Sequence, residues 1–62
     1  MVDKKLEKYV TNIFNSEFYN FNWITYQIVK VTSKVGDEFT FVKYLDSIIV
    51  FENDKYIKTI KN

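Results

Sequence analysis

Sixty-two residues bound this chain to one small domain (1–62), because a chain so short buries only about 60% of the surface its unfolded form exposes. It contains no Cys and no His, so disulfides are excluded, a structural metal and any other cofactor are not expected, and aromatic packing or a second chain must supply stability. The net charge is +1 from nine basic and eight acidic residues mixed along the chain, which excludes a basic arm or an acidic tail.

All nine basic residues are Lys, so the bidentate fork that reads phosphates and base edges is missing. No run of 18 apolar residues occurs and no charged segment leads into a hydrophobic one. The expectation is a cytoplasmic protein with no membrane contact. Six Phe, five Tyr and one Trp raise the aromatic share to 19%, enough large apolar area to make a core feasible.

Residues 3 to about 20 carry a helical pattern. Asp3 can cap the N-terminus, and Leu6, Tyr9, Val10, Ile13, Phe14 and Phe18 follow on one stripe, with Lys5, Lys8, Thr11, Asn12 and Asn15 opposite. Asn20, Phe21 and Asn22 are read as the helix end, since Asn tolerates left-handed backbone.

The segment from Trp23 to Leu45 reads as a hairpin folded about Gly36, the chain's one glycine. A three-residue loop of Lys34, Val35 and Gly36 sets Val31 against Phe39, Val29 against Phe41, Ile28 against Val42 and Tyr26 against Tyr44. A two-residue loop at Gly36 and Asp37 would instead face Lys30 with Lys43, a like-charge pair that costs stability. The preferred register puts Trp23, Val29, Val31, Phe39, Phe41 and Leu45 on one face and Ile24, Tyr26, Ile28, Val42 and Tyr44 on the other. Two apolar faces imply that both are covered or that one is kept for a partner.

Beyond the hairpin, Asp46 and Ser47 interrupt the pattern, Ile48–Phe51 resume it, and Asn53-Asp54 form a second turn that pairs Glu52 with Lys55, Phe51 with Tyr56 and Val50 with Ile57. Lys55, Lys58 and Lys61 then guard the edge of the last strand. The expected fold is α+β: one N-terminal helix packed on a four-stranded antiparallel β-meander, in the order α-β-β-β-β.

Catalysis is not expected. Ser16, Ser33 and Ser47 lack a His or Cys partner and sit at helix ends or turns, where local hydrogen bonding is their ordinary task. Asp37, Glu38, Glu52 and Asp54 have turn composition rather than metal-ligand spacing. Single-stranded nucleic acid could stack on Tyr26, Tyr44 and Tyr56 near Lys30, Lys43 and Lys58, but the near-zero net charge disfavours it.

The function expected is non-catalytic protein binding through Tyr26, Tyr44, Ile24, Ile28 and Val42, with another protein or with a second copy as a homodimer. Small size, absent catalytic residues and the lack of Ala, Pro and Arg, as AT-rich codons would give, suggest a small phage or mobile-element inhibitor of a host protein, such as a defence-system component. A homo-oligomeric sponge enclosing a small ligand is a third class.

Overall fold

The computed structural model describes residues 1–61 and contains one helix and five strands: α1 (Lys4–Ile13), β1 (Tyr19–Thr25), β2 (Ile28–Ser33), β3 (Glu38–Tyr44), β4 (Ser47–Glu52) and β5 (Lys55–Lys61). All five strands form one antiparallel meander in the order β1-β2-β3-β4-β5, with α1 on one face. The α+β class and the meander order match the sequence reading; the strand number does not, because the expected helix end at Tyr19–Asn22 joins Trp23–Thr25 of the expected long strand to form β1, and a turn at Tyr26-Gln27 separates it from β2.

Asp3 caps α1 through its side chain, which accepts a hydrogen bond from the Leu6 N–H at 3.0 Å. The helix stops at Ile13 rather than near residue 20. Phe14 turns extended (φ −113°), and Asn15 organises a tight turn: its side-chain oxygen accepts from Glu17 N–H at 2.8 Å, and its carbonyl accepts from Phe18 and Tyr19 at 3.0 and 3.1 Å. An Asn side chain that bonds the backbone two residues on competes with helix continuation. Asn20, Phe21 and Asn22 therefore lie within β1, where Tyr19, Phe21 and Trp23 alternate with polar Asn.

The long first strand expected from Trp23 to Ser33 is broken by a turn at Tyr26-Gln27, where Thr25 Oγ1 accepts from Gln27 N–H at 3.2 Å and a bulge shifts the register between Trp23 and Thr25. Two tertiary bonds hold this turn: Asp3 N–H donates to the Tyr26 carbonyl at 2.7 Å, and Lys43 N–H to the Gln27 carbonyl at 2.8 Å. Tyr26 thus belongs to a turn and not to a ladder facing Tyr44.

The β2–β3 hairpin has the expected register, with Val31 opposite Phe39, Val29 opposite Phe41 and Ile28 opposite Val42. Gly36 takes φ +99°, and its N–H closes the turn on the Ser33 carbonyl at 3.2 Å while Ser33 N–H bonds the Asp37 carbonyl at 2.8 Å. At β4–β5, Asn53 and Asp54 both have positive φ (50° and 67°), the backbone a two-residue hairpin prefers. Glu52 pairs with Lys55 and Phe51 with Tyr56 as expected, but Val50 pairs with Lys58, since a bulge at Ile57 shifts the register. Leu45, expected on the face of Trp23, Val29 and Phe41, is instead an exposed turn residue with φ 54°.

The core lies between α1 and the sheet. Leu6 and Val10 of the helix meet Val29, Val31, Phe41, Ile48 and Val50, all buried. Phe14 closes one end, with ring centroids 4.8, 5.3 and 5.7 Å from Tyr19, Phe39 and Phe41, distances at which aromatic pairs attract beyond their burial.

Candidate functional site

Strand alternation sends the residues between the core positions to the opposite face, over which no second layer lies among the described residues. The register places Ile28, Val42 and Ile49 directly side by side on β2, β3 and β4. Phe51 stands one step along β4 from Ile49, opposite Tyr56 on β5 with ring centroids 6.2 Å apart. Tyr44 ends β3 beside this row. The four aliphatic and Phe side chains are half-buried by their own neighbours, whereas Tyr44 and Tyr56 are 64% and 61% exposed. Together they form a contiguous apolar strip rimmed by two phenols.

The other part of the same face is polar. Asn20 and Asn22 of β1 lie opposite Thr32 and Lys30 of β2, and Lys30 pairs with Glu38 of β3 at 3.6 Å. At the apolar end, Tyr56 Oη and Thr59 Oγ1 are 2.9 Å apart, so this phenol is tethered along β5 at the margin of the strip.

Of the five residues expected to bind a partner, Ile28 and Val42 are adjacent in the strip and Tyr44 borders it. Ile24 sits in the β1 bulge, exposed, and Tyr26 in the neighbouring turn, also exposed. Neither is a ladder partner of a strip residue. Sequence reasoning missed Ile49 and Phe51. Their signal was the unbroken apolar run Ile48–Phe51, which must present two residues to each face of a strand.

The aromatic and lysine set considered for nucleic acid does not assemble on one platform. Lys43 is buried on the helix side, where its ammonium donates to the Leu45 carbonyl and lies 4.0 Å from Asp3 Oδ2. Lys58 pairs with core-facing Val50, also on the helix side. Of these three lysines Lys30 alone shares the open face with Tyr44 and Tyr56, and Glu38 offsets its charge; Lys61 of β5, opposite Ser47, is on that face as well.

The remaining chemical candidates occupy turns or strand ends. Ser33 Oγ accepts from Asp37 N–H at 3.0 Å within the hairpin loop. Ser47 opens β4 opposite Tyr44, and Ser16 is exposed in the α1–β1 loop. Glu38 N–H donates to Asn53 Oδ1 at 3.3 Å and the Glu38 carbonyl accepts from Asn53 N–H at 2.8 Å, which ties the β4–β5 turn to β3. Among the described residues no three acidic side chains converge, and no helix is long and apolar enough to cross a membrane. No protein-family model matches the chain, and no curated protein or solved structure is significantly similar to it.

Proposed function

We propose that this chain is a non-catalytic protein-binding module whose open sheet face docks on an apolar patch of another protein. The observation that carries the reading is the Ile28–Val42–Ile49 row, continued by Phe51 and rimmed by Tyr44 and Tyr56, on a face with no covering layer among the described residues. A contiguous apolar patch edged by polar groups is the anatomy of an interface, with tyrosines as rigid amphipathic anchors at its margin. The fold presents it on three central strands that do not need to rearrange, so little ordering cost is added on binding.

In its most concrete form the module is a small phage or mobile-element inhibitor that occludes a host protein's surface; small size and composition support this version. Replacing Val42 and Ile49 together by Thr keeps the β-branched shape that strands prefer while removing apolar surface. The double variant is expected to stay folded by circular dichroism and to lose partner binding by at least about tenfold, the effect of roughly 1.4 kcal/mol. Salt separates this reading from nucleic-acid binding, since affinity resting on apolar contact survives added salt and affinity for phosphates falls steeply. Unchanged partner binding by the Val42→Thr/Ile49→Thr variant would refute the assignment.

A further inference from the structure

The two edges of the sheet are unlike. β5 carries Lys55, Lys58 and Lys61 and a bulge at its centre, devices that keep foreign strands away. β1, reading YNFNWIT, carries no charge and no Pro, and its single bulge lies at its C-terminal end.

The direction of the free backbone groups on β1 follows from the hairpin beside it. Ser33 directs its N–H and carbonyl to the β3 side, so alternation directs Thr32, Lys30 and Ile28 toward β1. Their partners Asn20 and Asn22 then point inward to β2, which leaves the N–H and carbonyl groups of Phe21 and Trp23 facing outward along the edge. Tyr19 N–H is taken by the Asn15 carbonyl at 3.1 Å, and the bulge between Trp23 and Thr25 ends the regular run. The open stretch is centred on Asn22.

We propose that two copies of this chain pair antiparallel along β1 about a two-fold axis at Asn22, merging two five-stranded sheets into one. In this register Phe21 of each copy faces Trp23 of the other, so the outward donors and acceptors of both strands meet in phase. No like charges are brought together. Phe21 and Trp23, half-buried on the helix side, gain aromatic neighbours across the axis. The two Asn22 side chains meet on the opposite face, where an amide can donate to and accept from its own copy. A head-to-tail pairing of β1 with β5 would instead run on without closing and would place three lysines along the junction. The inference is independent of the docking reading, since it uses the edge and leaves the apolar strip of both copies open.

Asn22 is the self-facing, non-hydrogen-bonded position, for which Cα atoms lie about 4.5 Å apart, within the roughly 4.4–6.8 Å a disulfide spans. The chain has no Cys of its own, so Asn22→Cys introduces one thiol. Light scattering of the unaltered protein across a concentration series is expected to give twice the 7.5 kDa chain mass. Oxidised Asn22→Cys is expected to form a reducible covalent dimer far faster than Thr40→Cys, a control at the middle of the open face. Asn22→Lys, which sets two ammonium groups against each other, is expected to restore the monomer mass with circular dichroism unchanged. A monomer at every concentration, a dimer that survives Asn22→Lys, faster crosslinking through Thr40→Cys, or an open-ended series of higher masses would each overturn the proposal.

Discussion

Asp3 does several things at once. Its side chain caps α1, its N–H bonds the Tyr26 carbonyl, and its carboxylate lies 4.0 Å from the buried Lys43 ammonium. The cap and the charge can be separated, because Asn caps as well as Asp but carries no charge. Asp3→Ala is expected to lower unfolding stability by about 0.5–2 kcal/mol from the cap alone, and Asp3→Asn by less, as read by urea denaturation. Equal losses for the two variants would mean that the ion pair, not the cap, dominates.

Leu45 poses the opposite case, a residue whose backbone suits another side chain. Its φ of 54° is left-handed, its side chain is 73% exposed, and only its carbonyl is used, by Lys43. A branched side chain is disfavoured in that region, whereas Asn adopts it readily. Leu45→Asn is expected to raise stability by about 0.5–1 kcal/mol in the same assay, and a loss would show that Leu45 makes a contact beyond its carbonyl. Turn chemistry of this kind was partly legible. Gly36 and Asn53-Asp54 were read correctly because Gly, Asn and Asp are the residues that tolerate positive φ, while Leu45 offered no such signal.

At the scale of elements, α1 has ten residues, too few to hold a helix in water without docking. Its attachment rests on Leu6 and Val10, both buried against the sheet. Leu6→Ala is expected to cost about 2–5 kcal/mol, comparable with the whole stability of a domain this small. Helical ellipticity and Trp23 emission should then be lost in one transition, and a helix that melts while the sheet signal persists would show that the sheet stands alone. The helix start and stripe were legible. Its end was misplaced because Phe14 and Phe18 continue the helical spacing, yet Asn15 diverts the backbone and the alternating Tyr19-Asn20-Phe21-Asn22-Trp23 has strand periodicity. The Tyr26-Gln27 turn contains none of the usual turn residues; hydrogen bonds from Asp3 and Lys43, far away in sequence, hold it.

In the whole molecule, one helix covers one face of a five-stranded sheet and, among the described residues, the other face is left to its own side chains. That a second apolar face exists was legible from the hairpin register, which set Ile28 opposite Val42. Its full extent was not, because it depends on how β4 aligns with β3, and the Leu45-Asp46 turn that sets the alignment has no clear residue signature. Ile49 and Phe51 entered the strip only through that register.

The most direct test places a photoreactive benzophenone side chain at position 42, in the strip, and at position 12, on the exposed side of α1, and compares the adducts formed in cell lysate. Docking through the open face predicts a discrete protein adduct from position 42 that is absent from position 12 and persists after nuclease treatment and added salt. Adducts only to nucleic acid, only to a second copy of the chain, or equally from both positions would contradict it.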